Sequence, residues 1–382
     1  MDKRVFAGRT AFEPQAIEAA VEGLFAQLPA AGRLGPGVRV LIKPNLLSKN
    51  APEKAVTTHP HVLRAVILAV RRRGATDITV ADSPGGPYTP AAMRSVYEGC
   101  GLAAVCRETG AAAYTACETT HKAGGGQLVK EFHLLKPVVE ADFIINLPKL
   151  KTHVLTGFSG AVKNLLGCVP GLEKAEFHMR FPQREHFGQM LVDLCETVRP
   201  DIHLVDGVLA MEGEGPGSGT PRLVNLLLAG EDPYSVDLAI CRTMGLAPMD
   251  TPVMAAAHAQ GLCAQAFDEA LLVGDTDARR PEAGFVPASS YTGNMNFSAR
   301  LPGFLKPLLP AFTQWAAPRP AVKKALCIGC GKCAEICPQQ VIDMADGKAH
   351  IRYKQCIRCF CCHEMCPVRA IEVRRNRLFR SR

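Results

Sequence analysis

Aromatic residues are scarce in this 382-residue chain, at 6% with a single tryptophan, and no apolar run reaches the ~20 residues of a membrane-spanning helix. Leu223–Gly230 is too short, and Leu301–Pro318 is broken by proline. The opening MDKRVFAGRTAFEPQ runs through charges where a secretory leader would be apolar, so the chain reads as cytoplasmic, without signal peptide or membrane span. Two familiar nucleotide-binding devices are also missing. No G-x-G-x-x-G opens a helix behind a strand, and no G-x4-G-K-[ST] occurs. With few stacking side chains and no basic face, nucleic acid is disfavoured as a partner.

What the chain has is apolar mass and cysteine. Hydrophobic residues make up 47% and charged ones 21%, enough for a large core, and the length suits roughly two to three domains. The net charge is +8, but the closing PVRAIEVRRNRLFRSR holds six arginines against one glutamate, so five of the eight charges sit there. Such a tail reads either as solvated or as a docking element for an acidic partner or an anionic surface.

Between Val38 and Gly230 short apolar runs end abruptly in polar or Pro/Gly residues: Val38–Ile42, Ile78–Ala81, Phe143–Leu147, Ile202–Val205 and Leu223–Leu228. Runs of this kind suit strands buried on both faces, as in a parallel sheet. Helical periods lie among or beside them, at Gln15–Leu28, His61–Arg73 and Ser235–Met244. The expectation is an α/β fold, with a mostly parallel sheet in a large domain over 1–296. A Pro-rich linker over 297–320 and a small C-terminal α+β module over 321–382, basic tail included, would follow. Ligands of such sheets bind beyond the carboxyl ends of the strands.

Nine of the 16 cysteines fall between Cys327 and Cys366. Cys327-x2-Cys330-x2-Cys333-x3-Cys337-Pro338 and Cys356-x2-Cys359-x2-Cys362-x3-Cys366-Pro367 both carry the spacing of bacterial two-cluster ferredoxins, in which the fourth cysteine serves the other cluster. Cys327, Cys330, Cys333 and Cys366 would hold one [4Fe–4S] cluster, and Cys356, Cys359, Cys362 and Cys337 the other. Structural zinc would need only one such set. Residues Ala321–Glu372 resemble the bacterial-type 2[4Fe–4S] ferredoxins. Cys361 is a ninth thiol, read as a buried bystander.

In the large domain, Pro148-Lys149-Leu-Lys151-Thr-His153 and Lys163-Asn164-Leu-Leu-Gly167 gather cationic and hydrogen-bonding groups at a strand end. Lys149, Lys151 and Lys163 can neutralise a carboxylate or phosphate, Asn45 and Asn164 can orient it, and His153 or His178 can move a proton. Lys43, Asp82 and Ser83 close two other strands, and Glu212 opens a glycine-rich acidic loop, Met211–Gly219, that reads equally as a lid or as plain surface.

Ile42-Lys43-Pro44-Asn45, Thr57-Thr58-His59-Pro60, Ala81-Asp82-Ser83-Pro84-Gly85, Pro148–His153, Lys163–Gly167 and Met211–Pro216 with Gly219 together resemble the family carrying domain of unknown function 362, often fused to a ferredoxin module. The resemblance spans Val38–Met244. It implies an iron–sulfur protein of unassigned substrate, distantly similar to nickel-pincer lactate racemases, whose two-lobed α/β domain has a cleft for an organic cofactor or small acid. No nickel-ligand motif maps onto this chain. Three readings stand. The first is an oxidoreductase acting through its clusters on an anionic substrate or further organic cofactor. The second is a non-enzymatic electron carrier docking a redox partner protein, and the third a nucleic-acid or cofactor-assembly protein.

Overall fold

The computed structural model describes residues 2–275, 282–289, 291 and 317–374. Most of the expected linker and the tail beyond 374 lie outside the described residues, as does Trp315. The strands of the large domain are β1 (Val5–Arg9), β2 (Arg39–Lys43), β3 (Asp77–Val80), β4 (Ala112–Ala113), β5 (Thr119–Ala123), β6 (Glu131–Leu135), β7 (Phe143–Asn146), β8 (Lys149–His153), β9 (Gly157–Ser159), β10 (Ile202–Glu212), β11 (Thr220–Gly230) and β12 (Leu272–Gly274). β5 and β6 form a separate hairpin, and the rest build one ten-stranded sheet in the order β12-β1-β11-β10-β7-β2-β3-β4, with β8 on β10 and β9 on β8.

The half from β10 to β4 is parallel, an arrangement in which strands are buried on both faces. Val40 and Ile42 point into one core with Ile17, Val21, Leu63 and Val66, from the helices Pro14–Phe25 and Pro60–Arg72. Leu41 and Ile144 point into the other, with Met190 and Leu194 of the helix Arg184–Val198 and Ile240 of the helix Pro233–Met244. Local chemistry sets the helix ends. Pro60 occupies the first turn of its helix, His59 accepts the His61 N–H, and Arg71 and Arg72 close the last turn against the helix dipole.

One run departs from the parallel pattern. Leu223–Leu228 lies in β11, which returns antiparallel to β10 as a long hairpin and pairs antiparallel with β1. An apolar run reports burial on both faces and carries no information about strand direction.

Proline stops the parallel strands where the polar groups collect. Pro44 follows β2, Pro84 lies shortly after β3, and Pro148 separates β7 from β8. A proline has no N–H for the ladder, so after Pro148 the chain shifts off β2 and continues as β8, paired with the outer half of β10 and with β9. The sheet's carboxyl edge is thereby extended by a hairpin bearing Lys151, His153 and Ser159.

The C-terminal module has two small sheets, Arg319–Val322 with Ile371–Arg374 and Ile342–Ala345 with Lys348–Ile351, and two one-turn helices, Lys332–Glu335 and Cys361–Glu364. It sits on the carboxyl edge of the large sheet. Ile336 and Cys361 pack on Ala175, and Phe360 packs on Val154. A Cβ on Gly217 would stand 2.8 Å from the Glu364 carbonyl oxygen, so only glycine lets the β10–β11 tip approach so closely. The glycine-rich loop is therefore neither a free lid nor plain surface, but the seat of the module.

Candidate functional site

The parallel strands, the β8–β9 hairpin and the module enclose one cleft with about 690 Å³ of empty space. Asn45, Asp82, Ser83, Lys151, His153, Lys163, Asn164 and His178 line it, all singled out in the sequence, and the structure adds Ser159, Lys174, Cys361, Glu364 and Met365.

A buried chain of hydrogen bonds forms part of the wall. Lys151 Nζ donates to Asn45 Oδ1 (2.6 Å) and to the Val56 carbonyl (2.8 Å). Asn45 Nδ2 donates to Asn164 Oδ1 (2.7 Å), and Asn164 Nδ2 to Asn146 Oδ1 (2.8 Å). Each amide's orientation is fixed by the next, which pre-organises the wall at no cost on ligand arrival. The short helix Ala161–Asn164, which presents Lys163 and Asn164, begins on the Asp237 carboxylate, which accepts the Ala161 and Val162 N–H groups; burial pushes that carboxyl up to about 7.

A second wall comes from the β3 end. Asp82 accepts from Lys43 Nζ (3.0 Å), the Ser83 N–H (2.8 Å) and the Leu46 N–H (2.7 Å). A Cβ on Gly167 would fall 1.9 Å from Asp82 Oδ1, so the glycine is required by this contact. Ser83 Oγ accepts from the Gly171 N–H (2.7 Å) and from Lys174 Nζ (2.8 Å).

Beneath the module the groups are less satisfied. His153 Nδ1 accepts the Leu155 N–H (3.1 Å), which leaves its proton on Nε2, 3.2 Å from Glu364 Oε1. Burial pushes His153 down to about 3 and His178 to about 4, so both imidazoles are neutral at pH 7. Burial alone would raise the Glu364 carboxyl, but His153, Lys163 and His178 around it hold it below the ordinary range. Burial also lowers Lys163, and takes Lys151 and Lys174 to about 7. Among the described residues Lys163 Nζ has no hydrogen-bonding or ion-pair partner. The cleft thus offers a lysine amine without an ion-pair partner among the described residues, two neutral imidazoles and a carboxylate beside the Cys361 thiol.

Three expected ligand-binding residues lie elsewhere. Lys43 is spent on Asp82, behind the wall. Lys149 is fully buried against Asp206 at 2.7 Å, and an ion pair sealed in this way cannot release its lysine to a ligand without stranding the carboxylate. Glu212 pairs with Arg222 (2.9 Å) and accepts the Val286 N–H (3.0 Å). Glu364 escaped notice, and Cys361, buried as expected but lining the cleft, was read as a bystander, because both lie inside the cysteine motif and nothing in that motif reports contact with another domain.

The module holds two further cavities of about 320 and 340 Å³ of empty space. One is lined by Cys327, Cys330, Cys333 and Cys366, the other by Cys337, Cys356, Cys359 and Cys362. Each therefore takes three thiols from one motif and the fourth from its copy, the crossing that a two-cluster module needs. Backbone N–H groups of Gly329 and Ala349 hold the Cys327 thiol below its ordinary pKa, and the Ala370 N–H donates to Cys366 Sγ (3.1 Å). The residues fit [4Fe–4S] clusters.

Comparison with known families agrees. The model of the domain of unknown function DUF362 matches residues 40–242, just over half of the chain. The chain belongs to the DUF362 family. A 4Fe-4S dicluster domain matches residues 326–374 of the same chain, making this DUF362 member an iron–sulfur protein. A thylakoid-associated protein of Synechocystis sp. is 35% identical over 253 residues, covering 66% of this chain and 77% of its own. Among solved structures, the lactate racemase apoprotein from Thermoanaerobacterium thermosaccharolyticum is 12% identical with a TM-score of 0.41, over 63% of this chain and 57% of that one. A protein from Thermotoga maritima is 14% identical with a TM-score of 0.39, over 61% and 59%. The DUF362 chain thus spans less than two thirds of either. No helix among its described residues is long and apolar enough to cross a membrane.

Proposed function

We propose that this DUF362 protein is an oxidoreductase that exchanges single electrons with a small anionic substrate or organic cofactor bound in the shared cleft. The observation that carries this reading is that the cleft lies where the large domain meets the module: the large domain supplies most of its lining, and Ile336, Cys361, Glu364 and Met365 of the module complete it, with Lys163 and Cys361 both lining it and Cys361 next in space to Cys359 of the Cys337–Cys356–Cys359–Cys362 cavity. Bound [4Fe–4S] clusters supply one-electron chemistry.

The chain's own residues do the rest. Lys163 binds the anionic group, and Lys151 with the Asn45–Asn164 chain orients it. Neutral His153, oriented by the Leu155 N–H on Nδ1, can donate a hydrogen bond from Nε2, which lies 3.2 Å from Glu364 Oε1. Leu46, Leu47, Ile336 and Met365 give the cleft apolar walls, which strengthen each charge interaction beside them.

The test is anaerobic purification, iron and sulfide quantification, and mass spectrometry of whatever denaturation releases. About eight irons per chain with a released anionic molecule is expected. Lys163→Met should keep the iron and lose that molecule, or lose the thermal stabilisation that small carboxylates and phosphate give the wild type. Equal retention by both proteins would refute the role of Lys163.

A further inference from the structure

The two thiol cavities differ in what surrounds them. The Cys337–Cys356–Cys359–Cys362 cavity lies on the side of the module next to the large domain, where Phe360 packs on Val154 and Cys361 on Ala175. The Cys327–Cys330–Cys333–Cys366 cavity opens outward. Of its lining residues, Cys330 is exposed, and so are Ile328 (63%), Met344 (39%) and Val368 (36%), with Leu326 (49%) beside them. The related motif position differs accordingly: Ile328 is the most exposed large apolar residue among those described, whereas its counterpart Ile357 is half-buried.

Charge surrounds this apolar patch. Lys324, Lys332 and Arg369 are exposed and carry no ion pair among the described residues, and Lys348 Nζ bonds only the Cys327 carbonyl (2.6 Å). Against these four stand two unpaired carboxylates, Glu335 and Asp346; Lys323 with Glu372 and Arg352 with Asp343 cancel as pairs. Across residues 317–374 there are ten lysines and arginines and five acidic residues. A contiguous apolar patch with a cationic rim marks a protein contact, and complementary charge speeds encounter without demanding tight binding.

We propose that this outward face is the docking surface for a soluble, acidic one-electron carrier protein, whose redox centre is thereby brought beside the Cys327–Cys366 cavity. The inference rests on the electron-transfer reading above and assigns its entry side: carrier at the outer cavity, small anion at the inner one. An anionic membrane shares the charge complementarity. The patch favours a protein, because its apolar members are aliphatic side chains grouped over a thiol cavity rather than an aromatic belt.

The test uses the anaerobic holoprotein with an oxidised, acidic plant-type [2Fe–2S] ferredoxin as probe, titrated at low and high salt. Binding at low salt that weakens as salt rises is expected. The double variant Lys324→Glu/Arg369→Glu should weaken it at least ~tenfold at low salt, and Ile328→Ala should weaken it at both salts. Lys3→Glu, at the opposite edge of the sheet, should change nothing. Electron paramagnetic resonance of each reduced variant confirms that its clusters are intact. An unchanged affinity in the double variant overturns the proposal. So does binding to phosphatidylglycerol vesicles that the same substitutions abolish while the ferredoxin fails to bind. A carrier that docks as expected, on a protein whose cleft releases and binds no anion, would leave this surface standing and sink the cleft reading instead.

Discussion

Burial gives Lys151 and Lys174 an unusual pH behaviour. Both lie near pKa 7 in the fold and near 10.5 when unfolded. Between those values the unfolded chain binds more protons, so stability should rise with pH through that window, and the penalty is fully present below about pH 7. Anaerobic urea unfolding at several pH values checks this, and Lys174→Met should flatten the slope by about 1 kcal/mol per pH unit. Anion binding has the opposite sign, since it needs the protonated lysines and should weaken as pH climbs past 7. The lysines were visible in the sequence as a cluster, but their pairing was not. Lys149 and Lys151 are two residues apart on one strand; one is locked to Asp206, the other faces the cleft. Glu335 and Glu364 make the point more sharply. They hold the same place in the two cysteine motifs, yet Glu335 is exposed and Glu364 is in the site. Only contact with the large domain distinguishes them, and that contact is written in residues more than a hundred positions away.

Strands and helices were more legible than side-chain pairings, because apolar runs and helix-terminal residues act locally. β2, β3, β7 and the start of β10 fall where the runs predicted; β2, β3 and β7 end where their polar clusters begin, whereas β10 continues through Asp206 and Gly207 to Glu212. Direction and hairpin packing were not local. The β10–β11 tip serves as a seat for the module, with Val154 N–H donating to the Gly215 carbonyl (3.1 Å) and His363 Nε2 3.3 Å from the Glu214 carbonyl. Gly217→Ala would press a methyl group onto the Glu364 carbonyl. It should cost about 1–3 kcal/mol and speed hydrogen exchange across 361–366, leaving the amides of the helix Pro60–Arg72 unchanged. Equal exchange in both proteins would mean that the tip does not hold the module.

At the scale of the whole molecule the cleft belongs to neither domain alone, so its integrity is linked to the state of the thiol cavities. Cys359 and Cys362 flank Cys361 and precede Glu364, and cluster ligation would hold that turn in place. Removing iron with a chelator should therefore leave the large sheet folded, seen as retained far-ultraviolet circular dichroism, while anion binding in the cleft falls at least ~tenfold. The same geometry governs the order of biosynthesis. The cavity that begins with Cys327 is closed only by Cys366, and the one closed by Cys337 waits for Cys356, Cys359 and Cys362. During translation, the last thiol follows the first by 39 residues in the one set, Cys327 to Cys366, and by 25 in the other, Cys337 to Cys362. The strands of the large sheet all precede Cys327 in the chain, so they are synthesised before the first of these thiols.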